Sequence, residues 1–182
     1  MSEKPCVLLG VTGGIAAYKS AELVRRIMDL GAEVHCLLTE NAARFVTPLT
    51  FQVLSGNPAH VDAFEPVRDW NVKHISLAER ADLLVICPAT ANVLAKLACG
   101  LADDLLTTVV MAASSTAPVL VCPAMNPRMW DNGIVRENVQ KLRNRGFLLA
   151  EPEEGEMACG DSGKGRLAEL SVILERIKGL LA

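Results

Sequence analysis

The chain has 182 residues, a formal net charge of −3 at pH 7 and a hydrophobic content of 51%. This length supports one domain with a substantial core and leaves little room for a second. The absence of a basic cluster argues against a nucleic-acid partner. No apolar run reaches the roughly 18 residues of a membrane span, and the N-terminus lacks the features of a secretory signal. We therefore expect a cytoplasmic protein that binds neither nucleic acid nor membrane.

The six cysteines predict neither a disulfide framework nor a metal site. Cys6, Cys36, Cys87 and Cys122 lie within apolar runs, where a free thiol acts as a small hydrophobic residue. None is spaced as a zinc pair and the histidines are scattered, so we expect no bound metal. Cys159 differs, because its neighbours are glycines and charged residues, and this setting favours an exposed thiol.

Strand-like and helix-like runs alternate along the whole chain. Apolar runs predict strands at residues 6–11, 34–39, 83–87, 119–122 and 147–150, with Pro88 ending the third of them. Helical spacing of apolar residues predicts helices at residues 15–30, 49–54, 91–102, 105–113, 128–145 and 167–181. Because the strands are apolar on both faces, they indicate a parallel sheet covered on both sides. We predict a single three-layer, doubly wound α/β domain, Rossmann-like or flavodoxin-like, over residues 1–182.

Residues 151–166 form the one long stretch with little predicted structure of its own. The stretch is rich in glycine and charge, which makes it too polar for the core. Loops of this length in compact domains are usually lids or binding loops. We expect a flexible flap that contacts a substrate.

A glycine turn, Gly13-Gly14, joins the first strand to the first helix. Glycines there let the backbone approach a phosphate, and the N–H groups of the helix start favour an anion. The turn is no P-loop, because Tyr18 replaces the glycine required before Lys19, and it is no G-x-G-x-x-G motif. Thr39, at the end of the second strand, adds a hydroxyl that suits a mononucleotide phosphate. Glu40 beside it would suit a ribose, which leaves NAD as a lesser alternative.

Polar side chains also follow the third and fourth strands. Thr90 and Asn92 come after the third, and Asn126 stands between two prolines after the fourth. The simplest interpretation makes Thr90 and Asn126 helix N-caps, with Pro127 at the first helical position. Carboxyl ends of parallel strands meet at one edge of a sheet, where ligands bind in open α/β folds. We therefore expect these residues and the glycine turn to converge on one crevice.

Two further residues are candidates for acid–base chemistry. His74 precedes a helix-like stretch and is the best general-base candidate, because imidazole titrates near neutral pH. A surface or core histidine is the simpler alternative. Cys159, on the glycine-rich flap, could close over a ligand and deliver a proton. The alternative there is a plain linker before the last helix.

Together these motifs closely resemble the homo-oligomeric flavin-containing cysteine decarboxylases. The resemblance rests on the glycine turn, His74, the Pro-Ala-Thr-Ala-Asn run at 88–92, the Pro-x-Met-Asn-x-x-Met-Trp signature at 123–130, and Ala158-Cys159-Gly160. It covers nearly the whole chain in order. The eight-residue signature is specific, whereas the glycine turn is not.

The resemblance implies FMN as cofactor and assigns residues to it, to the substrate and to catalysis. It implies an FMN phosphate near Gly13, Gly14, Ile15 and Thr39, and an FMN ring near Thr90, Ala91, Asn92 and Ala124. It implies substrate contacts from Asn126, Met129 and Ala158, and catalytic roles for His74 and Cys159. Asn126 would hold the substrate carboxylate, and on this basis we expect a clamp there rather than a cap.

The implied reaction converts 4′-phosphopantothenoylcysteine to 4′-phosphopantetheine in coenzyme A biosynthesis. The substrate's cysteine is oxidised at Cβ to a thioaldehyde with the aid of FMN and His74, and then loses CO2. The ene-thiol is re-reduced while Cys159 supplies a proton. Family members are homo-trimers or dodecamers with active sites between subunits. Many are fused to a phosphopantothenate–cysteine ligase, so we expect either a monofunctional enzyme or an excised domain, without a ligase domain and with a possible ligase partner.

Three alternatives stay open. A peptidyl-cysteine (lantibiotic-type) oxidative decarboxylase would stop at the ene-thiol and generally lack the flap cysteine, so Cys159 argues against it. A non-catalytic flavoprotein regulator would commonly carry acidic tails, which this sequence lacks, and would not need both His74 and Cys159. A flavin prenyltransferase of similar fold would lack the Asn126 signature and His74.

Overall fold

The computed structural model describes residues 4–62, 73–156, 160 and 162–182, and its centre is a six-stranded parallel sheet. In chain order the strands are β1 (Cys6–Val11), β2 (Glu33–Leu38), β3 (Ala59–His60), β4 (Leu83–Ala89), β5 (Val119–Pro123) and β6 (Leu148–Leu149). Their spatial order is β3-β2-β1-β4-β5-β6. This order defines a doubly wound sheet, in which the direction of strand addition reverses between β1 and β4.

Helices separate the strands and cover both faces of the sheet. They are α1 (Ala17–Asp29), α2 (Glu40–Ala43), α3 (Pro48–Ser55), α4 (Lys73–Arg80), α5 (Ala91–Cys99), α6 (Leu105–Ala113), α7 (Pro127–Trp130), α8 (Gly133–Asn144) and α9 (Leu170–Leu181). None of the helices in the described residues combines the length and apolar character that a bilayer crossing demands. The predicted three-layer, doubly wound α/β fold is therefore confirmed.

Two separate hydrophobic cores lie on the two faces of the sheet. Along β1, Leu8 packs into one core and Val7 and Leu9 into the other, as the two-residue period of a strand requires. Helices α4, α5, α6 and α8 contribute to the first core, and α1, α3 and α9 to the second. Burial on both faces explains why the strands read as continuous apolar runs. The four cysteines predicted to be core residues are all buried.

The prediction that Pro88 ends the third strand is wrong, since β4 continues to Ala89. Proline has no N–H to donate, and the pairing of β4 with β5 shifts register between Ile86 and Ala89. The Cys87–Pro88 peptide bond in this stretch is cis. The carbonyl of Pro88 accepts the Thr12 hydroxyl instead of a strand N–H, and the carbonyl of Ala89 accepts the N–H of Ala124. A side chain thus bonds the carbonyl at Pro88, and the pairing of β4 with β5 resumes at Ala89, opposite Pro123.

The single helix predicted at residues 128–145 is in fact two helices, α7 and α8. The break follows from Asn132, whose Oδ1 accepts the N–H of Ile134 at 2.9 Å and caps the second helix. Asn132-Gly133 combines a preferred N-cap residue with one that disfavours a helix interior. Helix α2 and the short strand β3 were not predicted, and His74 lies inside α4 rather than upstream of it.

Residues 151–166 have more regular structure than the sequence predicted. Strands β7 (Glu153–Glu156) and β8 (Ser162–Arg166) pair antiparallel and form a separate two-stranded sheet. The hydrophobic pattern did not predict these strands, because they are stabilised by ladder hydrogen bonds and side-chain ion pairs rather than by burial. Arg166 contacts Glu153 at 3.2 Å and Glu169 at 2.8 Å, which ties this hairpin to the start of α9.

The connection between α5 and α6 is held by a charged cluster of Lys96, Asp103 and Asp104. The Lys96 Nζ lies 2.7 Å from Asp103 Oδ1 and 2.8 Å from Asp104 Oδ2. Asp104 is also the N-cap of α6, where its side chain accepts the Thr107 N–H and Thr107 reaches back to form a capping box. Burial raises the pKa of Asp104, but the hydrogen bonds from Lys96 and Thr107 outweigh it, so the pKa lies below its ordinary value. Asp103 and Asp104 thus serve as a turn and a helix cap between α5 and α6.

We expect the Asp104 carboxylate to stabilise the fold at neutral pH and to lose this effect in acid. Its pKa is lower in the folded than in the unfolded state, so its contribution is present above the unfolded-state pKa, about 4, and falls as the pH drops below it. Asp104→Asn keeps a capping oxygen but removes the charge. The free energy of unfolding from urea titrations should therefore differ between wild type and variant at pH 7, and the difference should shrink as the pH falls through the lowered folded-state pKa of Asp104. A difference that is independent of pH would contradict this assignment.

Candidate functional site

The carboxyl ends of β1, β2, β4 and β5 open into a cavity of about 1210 Å³. It lies where the strand order reverses between β1 and β4, the usual ligand site of a doubly wound sheet. Single-ligand pockets are commonly about 300–1,000 Å³. The cavity therefore has room for a cofactor together with a second molecule.

Most of the residues predicted to form a site line this cavity. Those residues are Gly13, Gly14, Ile15, Thr39, Thr90, Ala91, Asn92, Ala124, Asn126 and Met129. His74 is half-buried in α4 and is not among the lining residues of a single chain. Ala158 and Cys159 lie outside the described residues. The strand ends thus converge as the sequence predicted.

Thr12, which the sequence analysis did not single out, joins the two sides of the cavity floor. Its buried hydroxyl donates to the Pro88 carbonyl at 2.7 Å and accepts the Thr90 N–H at 3.1 Å. Ser20, from α1, donates to the Cys87 carbonyl at 2.7 Å. These side chains fix the end of β4 against β1 and α1. The signal in the sequence was the position of Thr12, directly after a buried strand.

Two threonines at the cavity wall are helix N-caps. Thr39 Oγ1 accepts the Ala42 N–H at 3.2 Å, and Thr90 Oγ1 accepts the Val93 N–H at 3.4 Å. The interpretation of Thr90 as a cap is therefore confirmed. In both residues an oxygen lone pair serves the helix, and a hydroxyl can still donate to a ligand.

Asn126 is also an N-cap, with Pro127 at the first helical position of α7. Its Oδ1 accepts the Arg128 N–H at 2.9 Å. The expectation that this residue is a clamp rather than a cap is wrong in that respect. A carboxylate only accepts hydrogen bonds, so any contact with one would use the Nδ2 amide group of Asn126. The clamp itself stays a prediction.

The β7–β8 hairpin is seated on the segment that contains Asn126. The Met125 N–H donates to the Gly165 carbonyl at 3.0 Å. Gly163 has a φ of +149°, and a Cβ there would lie 3.0 Å from Pro127 Cβ. Arg166 also lines the cavity, so the hairpin forms part of its wall. The flap predicted from glycine content thus has a fixed base beside the site.

Charged residues that the sequence analysis did not assign to the site complete the lining. They are Lys19, Asp62, Lys96, Asp103, Asp104 and Arg166. Lys96 could have been found, because it follows Asn92 by four residues and so lies on the same face of α5. Arg166 could not, since its place in the wall depends on a hairpin that hydrophobic periodicity does not reveal.

The buried thiols are poor candidates for chemistry at neutral pH. Burial raises the pKa of Cys36 to about 12 and that of Cys6 to about 11. The pKa of Cys122 is also raised, by a hydrogen bond with Cys87 and by burial. Across the residues that the structure describes, no group of three or more His, Cys, Asp or Glu side chains could hold a metal ion.

The two glycines of the turn have different structural causes. A Cβ on Gly13 would lie 2.4 Å from Asn41 Cβ and 2.8 Å from the Asn41 backbone carbon, so packing within the chain requires glycine. A Cβ on Gly14 would meet only Thr90 Cγ2, at an ordinary 3.6 Å. Because Gly14 lines the cavity, its missing side chain leaves room for a ligand rather than for protein.

The fold and the site define a doubly wound α/β protein with a large ligand cavity at its topological switch point. The sequence matches the Flavoprotein family over residues 1–182, and the chain belongs to that family. It is 48% identical over 163 residues to the coenzyme A biosynthesis bifunctional protein CoaBC of Vibrio cholerae, which covers 90% of this chain and 40% of the relative. The chain thus spans about two fifths of the length of the curated relatives it matches.

Two solved structures share the whole fold. A cysteine-to-serine mutant of PPC decarboxylase complexed with pantothenoylaminoethenethiol is 34% identical, with a TM-score of 0.84 over 97% of each chain. The FMN-dependent cysteine decarboxylase SpaF is 32% identical, with a TM-score of 0.84 over 98% of each chain. Overall shape therefore does not separate the two kinds of decarboxylase.

Alanine substitutions at Gly13 and Gly14 should affect different properties. The first should lower stability and the second should weaken ligand binding. Gly13→Ala should destabilise the fold by about 1–3 kcal/mol, because the new methyl group overlaps Asn41. Gly14→Ala should leave the free energy of unfolding nearly unchanged but weaken flavin binding, because its methyl group enters the cavity. Urea denaturation and flavin fluorescence titration measure the two effects. A Gly14→Ala protein that binds flavin as wild type does would remove Gly14 from the binding surface.

Proposed function

We propose that the chain catalyses the FMN-dependent decarboxylation of 4′-phosphopantothenoylcysteine to 4′-phosphopantetheine. The observation that carries the proposal is the single cavity lined together by the glycine turn, the 88–92 run and the 123–129 part of the signature. Two comparisons support the choice of substrate. The chain is 48% and 49% identical to two CoaBC proteins, and 34% identical to the PPC decarboxylase mutant.

The cavity lining suits FMN. Ile15, Tyr18 and Met129 line it while 63%, 61% and 48% exposed, and a bound aromatic ring system would cover such apolar surface. Gly14 leaves open space beside Thr90, as described above. We propose that Gly13, Gly14, Ile15 and Thr39 hold the phosphate, and that Thr90, Ala91, Asn92 and Ala124 hold the ring. The chemistry that FMN supplies when bound is reversible hydride transfer with the cysteine carbon of the substrate.

The residues of this chain then bind the substrate and move its protons. Asn126, with Met129 and Ala158, contacts the cysteine end of the substrate, and the Asn126 amide donates to its carboxylate. Oxidation at Cβ converts that end to a β-thioxo acid, which loses CO2 because the thiocarbonyl accepts the electron pair. His74 accepts a proton during oxidation, and Cys159 returns one when the ene-thiol is reduced to the thiol product.

His74 lies outside the cavity lining of a single chain, which suits an active site shared between subunits. We propose a homo-oligomer, a trimer or a dodecamer, in which the His74 of one copy serves the cavity of another. A phosphopantothenate–cysteine ligase, fused or separate, would supply the substrate, because the relatives that this chain matches are bifunctional.

Peptidyl-cysteine decarboxylation is the second candidate, because SpaF shares the fold equally well. That activity ends at the ene-thiol and needs no returning proton. Cys159 is the residue that distinguishes the two, since a thiol on the flap would complete the cycle to the saturated product.

Purified protein should be yellow, with oxidised-flavin absorbance near 450 nm (roughly, as for protein-bound flavins), and should release CO2 from 4′-phosphopantothenoylcysteine.

His74→Asn should slow CO2 release by about 100-fold or more, the usual contribution of a general base. The measurement is CO2 release in single turnover. His60→Asn, in β3 and outside the cavity lining, is the matched control.

Normal CO2 release by the His74→Asn variant would show that His74 is not the base.

Mixing the His74→Asn variant with an inactive Asn126→Ala variant tests whether sites are shared between chains. Reassembled oligomers should regain activity, because some cavities then combine an intact His74 with an intact Asn126. Failure to regain activity after verified subunit exchange would place both residues in the same chain's site.

Cys159→Ser should still release CO2 but accumulate the unsaturated ene-thiol product, because the returning proton is missing. Mass spectrometry separates this product from 4′-phosphopantetheine by two hydrogen masses. Cys99→Ser is the matched control, since Cys99 is an exposed free thiol that does not line the cavity. Saturated product at wild-type yield from Cys159→Ser would remove Cys159 from the mechanism.

A further inference from the structure

Within the described part of the chain, three cationic side chains line the cavity: Lys19, Lys96 and Arg166. Two of them are neutralised by the protein itself. The Lys96 ammonium lies 2.7 and 2.8 Å from the carboxylates of Asp103 and Asp104. The Arg166 guanidinium is paired with Glu153 and Glu169 in the same way. Neither cation therefore offers a full positive charge to a ligand.

Lys19 has a different environment. It is half-buried in the first turn of α1, and among the residues that the structure describes it forms no ion pair. The first turn of α1 contains no acidic residue, although such residues are favoured there. An ammonium in a cavity wall that forms no ion pair with the protein can take a bound anion as its partner.

Glu153 does not neutralise Lys19, because its carboxylate is already engaged by Glu169 and Arg166. The pKa of Glu153 is lowered, chiefly by the N–H of Glu169, which donates to Oε1 at 2.9 Å, and also by Arg166, which lies 3.2 Å from Oε2. Lys19 makes the smallest contribution, through its charge alone. Lys19 therefore acts on Glu153 only through its charge and forms no ion pair with it.

We propose that Lys19 binds the phosphomonoester of a ligand held in the cavity. The inference rests on the proposed function, under which two such groups reach the site: the phosphate of FMN and the phosphate of 4′-phosphopantothenoylcysteine. An ammonium on a flexible stem is a common partner for phosphate. Removing it should weaken binding of the phosphorylated ligand, and should leave binding of the same ligand without phosphate nearly unchanged.

The experiment has a cofactor arm and a substrate arm, each comparing wild type with Lys19→Met. In the first, apoprotein is titrated with FMN and with riboflavin, followed by flavin fluorescence. In the second, KM and kcat are measured for 4′-phosphopantothenoylcysteine and for pantothenoylcysteine. We expect the preference for the phosphorylated ligand to fall by about 10-fold or more in one arm, as for a hydrogen bond to a charged group. The arm that changes identifies which phosphate Lys19 binds.

Matched variants separate this effect from loss of structure. Lys19→Arg should restore most of the preference, because it keeps the charge. Arg25→Met, on the exposed face of α1, controls for loss of charge on the same helix.

An unchanged phosphate preference in both arms for a folded Lys19→Met protein would overturn the inference. So would an equal loss of preference in Arg25→Met, because the effect would then be general electrostatics. Failure of the proposed function looks different. In that case wild type would not decarboxylate the substrate at all, whereas the comparison of FMN with riboflavin would still test Lys19.

Discussion

The hydrogen bonds of Thr12 are the constraint on which the site depends. In a doubly wound sheet, strands are added outward in opposite directions from β1 and from β4. The chain segments that follow these two strands therefore move apart, and their backbone groups lose hydrogen-bond partners in the sheet. Pro88 makes this worse, because it supplies no N–H. One buried hydroxyl connects the two sides by donating to the Pro88 carbonyl and accepting the Thr90 N–H. Thr90 is then placed to cap α5, and the 88–92 run becomes a fixed wall of the cavity.

The signature segment is held by similar means from two directions. Asn126 caps α7 through its Oδ1, and the Met125 N–H donates to the hairpin at Gly165. A segment that makes both contacts cannot move without breaking a helix cap and a hairpin bond together. The role of Asn126 as a cap therefore supports its proposed role as a clamp, since the cap fixes the amide that would donate to a carboxylate. Structural and functional interpretations of this residue do not compete.

The sequence predicted the parts of the molecule that depend on burial and missed those that depend on local polar geometry. Strands buried on both faces are evident from continuous apolar runs, and the site residues at their carboxyl ends followed from that placement. The continuation of β4 past Pro88, the break at Asn132 and the β7–β8 hairpin were missed, because side-chain hydrogen bonds and ion pairs create them. Arg166 was missed for the same reason, since the hairpin positions it, whereas Lys96 could have been found from the helical spacing that puts it on the same face of α5 as Asn92.

The position of α4 has a consequence for how the proposed activity depends on assembly. Its last residue, Arg80, contacts Glu33 at the start of β2, and its buried Leu77 and Ala78 hold it to one face of the sheet. His74 lies six residues earlier, about 9 Å along the helix axis toward the edge from which the cavity opens. It nevertheless lies outside the lining of its own chain's cavity. If His74 serves a neighbouring copy, a separated chain retains every lining residue proposed for FMN and loses only the base, so dissociation would abolish catalysis before it abolished flavin binding.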